Sequence, residues 1–507
     1  MAKPMIEDLH WHFGRKILAA AEFVARQERL FPVLLTNFRC SPDAFVQVYF
    51  KQLLEAYGKP YLILQLDELG SDVGYQTRIE AAVATFRGHT KGRRGTVRHT
   101  PYVAFGKDRT YIMPNFEPLG CRLAVAQLRS AGYKAELALE TKETIRLGLT
   151  HALGCECLPA SAIVGSIVHT VRELGLDPHK TAYFAPLTHI ACNFPQFPKV
   201  AAEAFAALGL DGLSVYRSEL SGGSEGMLMT YGFFRAFTMG ALLRQMAHRV
   251  RPYEREPGQT DHVCAEGLTE LEAAFVSRGD AEAVLQRLAT RLAAVPVTPD
   301  RGKRPLVAII GDLYVKYNEV FNDGLERVIE SSGCEVFSSP VMDMLYVSST
   351  NGRELALREK QYLNWFNHSL TYNLAEFLER RLRRLCAPLL EEPEKIINHE
   401  DLEAALKLGI TPYQHGETPM NLVHVLHLAA HGRVAAFVHV NPLFCCPGAV
   451  SQAVFPKVAE SIGRPIINLF YDGLGNPGDE LRTHLHFLVK KLGAMGQGPR
   501  TSLPPMW

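Results

Sequence analysis

The chain has 507 residues, with 54 Lys plus Arg against 53 Asp plus Glu and a formal charge of +1 with histidine neutral. That balance argues against a strongly basic nucleic-acid binder, and a composition of 47% hydrophobic and 21% charged residues excludes a disordered chain and a coiled coil. At roughly 150 residues per domain, the length predicts about three domains, or two large ones with an inserted helical element.

In chain order, Met1 to Arg15 carry Glu7, Asp8, His10 and His12 and no apolar core, so no secretory signal is expected. Short apolar runs at Leu30 to Leu35, Pro60 to Leu66, Thr110 to Pro114, Ala135 to Leu139, Thr181 to Ala185 and Gly212 to Tyr216 read as buried strands. Amphipathic stretches such as Cys121 to Gly132 and Lys199 to Gly209 lie between them. Met227 to Arg251 reads as one long helix, with further helix through Ala293. The run from Val295 to Pro305 mixes prolines, a glycine and charges, which marks a linker and a boundary near residue 300. The second half restarts with strand Leu306 to Ile310, helix Phe321 to Ser332 and strand Glu335 to Ser338. Helices follow through Glu354 to Pro388, then strand Val434 to Val440, helix Val450 to Ile462, strand Pro465 to Phe470 and helix Glu480 to Leu492. The expected fold is α/β, with two lobes of parallel βα units of Rossmann or flavodoxin type and long helical inserts. Its domains are an N-terminal lobe over 1–225, a helical segment and linker over 226–300, and a C-terminal lobe with a helical insert over 301–507. The longest apolar stretch, Ala435 to Phe455, is broken by His439, Asn441 and Pro442, so no membrane span is expected and a cytoplasmic location is.

Ten cysteines in a chain of this length are too few for a disulfide scaffold. Several stand where an open α/β sheet gathers ligands, between the carboxyl end of a strand and the next helix. Cys40 lies in Asn37-Phe-Arg-Cys-Ser-Pro-Asp43, Cys192 in Thr188-His-Ile-Ala-Cys-Asn193, and Cys446 in Asn441-Pro-Leu-Phe-Cys-Cys-Pro-Gly448. Cys157, in Gly154-Cys-Glu-Cys-Leu-Pro159, precedes an apolar helix expected to start near Ser161. Helix N-termini favour thiolates through their free N–H groups and macrodipole, so such cysteines could share one iron–sulfur cluster, with zinc as the rival metal. Taken singly, each cysteine reads as a small buried apolar side chain, and Cys121, Cys264, Cys334 and Cys386 keep that reading.

Other signals carry less. Asp67, Glu68, Arg78 and Glu80 read as an ion-pair network that pins a loop. His424, His427 and His431 share one helical face, but no cysteine or carboxylate joins it in the sequence pattern, so packing or hydrogen bonding is expected. His439 and Asn441 are closer in sequence to the Cys446 loop and are candidates to support it. Gly473-Leu-Gly-Asn-Pro-Gly478 matches G-x-G-x-x-G formally, yet no second strand follows to complete a dinucleotide unit. Ser221 to Gly226 reads as a hinge, with anion binding at the helix N-terminus as its rival. The basic run Lys91 to Arg98 reads as a solvated loop. No G-x-x-x-x-G-K-[ST] occurs, so ATP hydrolysis by this chain is not expected.

The strings Leu34-Leu-Thr-Asn-Phe-Arg-Cys-Ser-Pro-Asp-Ala-Phe45, Leu64-Gln-Leu-Asp-Glu68 and Gly74-Tyr-Gln-Thr-Arg-Ile-Glu-Ala81 begin an ordered set. It continues with Gly154 to Pro159, the Cys192 segment, Val307-Ala-Ile-Ile-Gly-Asp-Leu-Tyr-Val-Lys-Tyr-Asn318 and Cys446-Pro-Gly448. Together they resemble the activase-related proteins of the 2-hydroxyacyl-CoA dehydratase superfamily, in the portion that follows the ATP-handling domains of large fused relatives. The resemblance implies an oxygen-sensitive [4Fe-4S] protein in a homodimer or a heteromer with a related subunit. It also implies electrons from an ATP-dependent activase of ASKHA type and an acyl-CoA-like substrate, with no nucleic acid or membrane partner. The ligands it implies are Cys157, Cys192 and Cys446, with Cys40 as a further candidate. Relatives often carry a cysteine where Ala160 stands, for which Cys155 could substitute, and a histidine where Leu69 stands. The implied activity is that of a dehydratase-like lyase or an ATP-coupled reductase component, in which one electron added to a thioester carbonyl acidifies the β-position. Three thiolates would leave one iron open for a substrate oxygen, whereas four would suit electron transfer alone. The alternative functions are a non-catalytic relay or scaffold that docks the activase, and a metal-free α/β protein that binds a small anion.

Overall fold

The computed structural model describes residues 3–7, 9–37, 41–66, 72–90, 95, 100–152, 157–186, 192–218, 223–390, 397–411, 416–475 and 477–494. Among them are ten strands: β1 (Val33–Asn37), β2 (Leu62–Leu66), β3 (Thr110–Pro114), β4 (Lys134–Ala138), β5 (Thr181–Pro186), β6 (Ser214–Ser218), β7 (Leu306–Gly311), β8 (Glu335–Ser338), β9 (Val434–Pro442) and β10 (Ile466–Tyr471). Every strand pair is parallel. The fold is therefore α/β with parallel sheets and many helices. In the central strands both faces are covered, which explains their unbroken apolar sequences: all nine residues of β9 are buried.

The strands form two four-stranded sheets, ordered β4-β3-β5-β6 and β10-β9-β7-β8, and a two-stranded pair β1-β2. The first half thus holds two sheets among its described residues where a single stack of βα units was expected. The β1 burial pattern gives the reason. Val33 and Leu35 are exposed while Leu34 is buried, so this ribbon is covered on one face by the helices His12–Ala25 and Ser41–Ala56. The helix Val73–Arg87 buries none of its residues.

In each large sheet the first strand, β3 or β7, has its next two partners on opposite sides. This creates a crevice at the carboxyl ends of β3 and β5, and another at those of β7 and β9, where such sheets bind ligands. One apolar core cluster runs across both lobes: Ile112, Ile145 and Ile167 belong to the same cluster as Val307, Ile309 and Val440. The helix Leu158–Glu173 is buried along nearly its whole length, as its apolar sequence requires. It crosses the helix Lys142–Thr150 at backbone contact distance. A Cβ on Gly148 would lie 1.7 Å from the Ser161 carbonyl oxygen, and one on Gly165 would lie 2.0 Å from that of Thr144. These two glycines therefore fix where the helix begins, and with it Cys157.

The long helix Gly223–Val250 ties the lobes together electrostatically. Buried Arg244 bonds Glu117 of the first lobe and Glu326 of the second, each at 3.0 Å. Within 295–305, Thr298 donates its N–H to the Tyr253 carbonyl at 2.8 Å, so the expected linker is anchored to the end of this helix. The helices expected over Glu354 to Pro388 are Asp343–Arg358, which begins before that span, and Tyr362–Leu385, with Lys360 between them at φ 59°. No described helix is long and apolar enough to cross a membrane.

Candidate functional site

The crevices of both large sheets open on one cavity of about 260 Å³, lined by Cys157, Cys192, Cys445, Asp312, Glu417 and Tyr314 among others. Each acidic or thiol group reaches it by a short route from a strand end or helix start. Asp312 follows β7 and caps the helix Leu313–Tyr317, accepting the Val315 N–H at 2.8 Å. Gly311 makes that placement available: its φ is 121°, and a Cβ there would lie 2.1 Å from the Val440 carbonyl oxygen. Cys157 and Cys445 are the residues immediately before the helices Leu158–Glu173 and Cys446–Ile462, both in extended backbone and both followed by proline two residues on. Cys192 follows β5, and its Sγ accepts the Phe194 N–H at 3.3 Å. Glu417 opens the helix Glu417–His431 and accepts the Leu313 N–H at 3.2 Å.

The ligand atoms of Asp312, Glu417 and Cys445 all lie within 4.8 Å of one another. Burial raises the affinity of both carboxyls for protons, and their mutual repulsion adds to it for Glu417. All three thiols are likewise pushed well above the ordinary cysteine range by burial first. The charges of Asp312 and Glu417 add to the effect, and N–H donors at Ala160, Phe194 and Gly448 oppose it. The arrangement therefore concentrates five acids in one buried space: Cys157, Cys192, Cys445, Asp312 and Glu417. Among the described residues, the buried cation shown to act on both carboxyls is Lys316, whose Nζ donates to the Ser339 carbonyl and hydroxyl at 2.9 and 2.8 Å, and burial lowers its pKa to about 8. Such a donor set suits a multivalent cation, which would hold the groups deprotonated.

Around the acids the wall is apolar, with Phe116, Phe194, Phe197, Met344 and Phe444. Phe444 sits at φ 65°, a strained conformation for an aromatic residue, directly before Cys445. Behind Tyr314 lies a buried polar group in which Glu140 accepts from Asn115 Nδ2 at 3.0 Å and neighbours the Tyr314 hydroxyl and Asn318. Burial raises the Glu140 pKa to about 7.

Of the four expected ligands, Cys157 and Cys192 share this cavity. Cys446 is exposed and does not line it, although its charge bears on the Cys192 thiol; its neighbour Cys445 does line the cavity. Cys40 lies outside the described residues, as do Cys155, Asp67 and Glu68. Cys121, Cys334 and Cys386 are buried in the core, and Cys264 is half-buried. Arg78 and Glu80 are exposed on the helix Val73–Arg87, where Glu80 accepts from Gln76.

Carboxylates do join the histidine face that seemed to lack them. His424 Nε2 meets Asp343 at 2.9 Å, and His427 Nδ1 meets Asp401 at 3.0 Å. Asp401, His427 and His431 place ligand atoms within 4.8 Å of one another. Asp401 also accepts the Asn398 N–H at 2.9 Å to cap the helix His399–Lys407, so the group already serves as a clamp between two helices. His439 is buried against Asn468 at 2.8 Å, and burial lowers its pKa to about 4. In the glycine-rich match, Asp472 accepts from the N–H groups of Leu474 and Gly475, and Asn476 lies outside the described residues.

Asp312, Glu417 and Cys445 were not singled out from the sequence. Two of them left a trace there. Asp312 directly follows the glycine that ends an apolar run, and Cys445 repeats the Cys-x-Pro spacing of Cys157. Glu417 left none. Comparison with known protein families and with curated proteins finds no match to this chain.

Proposed function

We propose that the chain is an iron–sulfur redox protein of the 2-hydroxyacyl-CoA dehydratase and activase-related type. On this reading it takes low-potential electrons from an ATP-dependent activase for dehydration or reduction of an acyl-CoA-like substrate. One observation carries the reading: thiols 35 and 253 residues apart along the chain, Cys157, Cys192 and Cys445, line one cavity at helix starts contributed by both lobes. Cys157, Cys192 and Cys445 would hold a [4Fe-4S] cluster, which supplies one-electron chemistry and, with one iron free of thiolate, a Lewis-acidic position. The chain's own residues do the rest. The aromatic wall excludes water and strengthens local electrostatics. Asp312 and Glu417, crowded enough that one is favoured in its protonated form, hold a proton beside Cys445. Tyr314 and Glu140 form a second proton-holding pair at the wall.

A second reading, a relay or docking module that never meets substrate, draws on the same carboxylates. Either of them, within 4.8 Å of the Cys445 sulfur, is close enough to compete for the remaining ligand position. Anaerobic purification with iron, sulfide and zinc analysis tests the shared premise; protein with no iron after reconstitution and a featureless visible spectrum removes both readings. The EPR signal of the reduced centre separates them. We expect it to shift on adding acyl-CoA compounds, and an unchanged signal across a panel of them favours the relay.

A further inference from the structure

The helix Tyr362–Leu385 has two apolar faces, and the fold uses only one. Tyr372, Ala375, Leu378 and Leu382 are buried in the cores. On another face Leu363, Phe366, Leu370, Leu374 and Phe377 are 73%, 55%, 56%, 58% and 64% exposed. At 100° per residue these five fall within an arc of about 80°, whose edge at Leu374 lies about 40° from buried Leu378. A monomer rarely presents so continuous an apolar stripe to water.

The stripe's spacing identifies its occupant. The steps from 363 to 377 are three, four, four and three residues, which hold the side chains on one face over about four turns. That series reads the same in both directions about Leu370. We infer that this face pairs two copies of the chain antiparallel across a two-fold axis at Leu370, with Leu363 against Phe377 and Phe366 against Leu374. Each large ring then meets a smaller aliphatic side chain, and the interface is isologous, as closed dimers require. Charge favours the same direction. Past one end of the stripe Arg380 and Arg381 are paired with Glu376 and Glu282, at 2.7 and 2.9 Å, and Arg384 is exposed, so parallel pairing would bring the two copies of Arg384 together and antiparallel pairing keeps them apart. Five such side chains and their polar rim cover on the order of 800 Å² per copy, the size of a standard stable interface.

Sedimentation velocity or light scattering on the full chain tests the pairing. The wild type should run at twice 56.4 kDa. Leu370→Glu, which sets two carboxylates against each other on the axis, should raise the dimer dissociation constant by more than about 100-fold. Phe487→Glu, equally exposed on the helix Gly478–Ala494, should leave the dimer intact. Leu370→Cys should form a disulfide-linked dimer on mild oxidation. Leu363→Cys alone should not, and combined with Phe377→Cys it should. A monomeric wild type overturns the inference, including the case in which a different protein covers the stripe. A dimer unchanged by Leu370→Glu, or cross-linking by Leu363→Cys alone, overturns it as well.

Discussion

The two large lobes build their halves of the cavity by the same device and furnish them with opposite chemistry. Each is a four-stranded parallel sheet whose first strand lies between its next two partners, and each ends a loop on an N-capping cysteine followed by Cys-x-Pro geometry. The first lobe contributes Cys157 and Cys192 amid aromatic and aliphatic side chains. The second contributes one thiol, Cys445, together with Asp312, Glu417 and the buried Lys316 behind them. The difference teaches that thiol supply and charge control are separable properties of this site. The first lobe provides two of the three thiols, and the second provides the third together with the carboxyls and the lysine that set how much negative charge the space holds. Joining the lobes is thus a condition for the site, which explains why a core and a buried Arg244 bridge are shared between them.

The sharpest way to break this comparison is at the matched cysteines. Cys157→Ala and Cys445→Ala remove one donor from each lobe and should both abolish stable iron incorporation after anaerobic reconstitution. Cys446→Ala and Cys264→Ala should retain it. If Cys446→Ala loses iron while Cys445→Ala keeps it, the second lobe's donor is the exposed cysteine and the equivalence of the two helix starts is wrong.

A smaller effect is expected where the first lobe sets the position of Cys157. Gly165→Ala puts a methyl group against the Thr144 backbone, an obstacle that a rotamer change does not relieve. Overpacking of this kind costs about 3 kcal/mol, beyond the helix propensity that alanine gains. Denaturant unfolding should show the loss, and iron occupancy should fall with it. A variant as stable as the wild type would mean that the two helices separate freely and do not fix Cys157.

How far such features could be read from the sequence depends on how local they are. All ten strands begin within a few residues of where apolar runs place them, and β3 and β8 match at both ends; for central strands such as β9 the reason is that burial on two faces is written in consecutive residues. Cys157 and Cys192 were legible for a similar reason, as each follows a strand or precedes an apolar helix. Cys445 lines the cavity one position before the cysteine singled out, Cys446, because pattern alone did not fix the first helical residue. Glu417 was invisible. Its role comes from meeting Asp312, more than a hundred residues earlier, across a crevice that exists only once β7 and β9 are paired. The separate β1-β2 pair likewise follows from one exposed strand face, a tertiary fact that short apolar runs do not encode.

The last expected effect depends on pH and concerns Glu140, a first-lobe carboxyl beside Tyr314 of the second lobe, on the seam between the two lobes. Burial raises its pKa from 4.5 to about 7, despite the Asn115 hydrogen bond that favours the charged form. A folded value above the unfolded one means that the native state holds the proton more tightly. Its contribution is therefore complete below about pH 4.5 and is lost as the pH rises through about 7. The full span is worth about 3 kcal/mol, with most of it gone by neutrality. Glu140→Gln keeps the shape and cannot ionise, so the variant's stability should be flatter over this window and should exceed the wild type's at pH 8. Unfolding curves at pH 5 and pH 8 measure the difference. Parallel pH profiles for both proteins would show that Glu140 is solvated in the folded chain, and the seam would then carry no titrating group of the first lobe at this position.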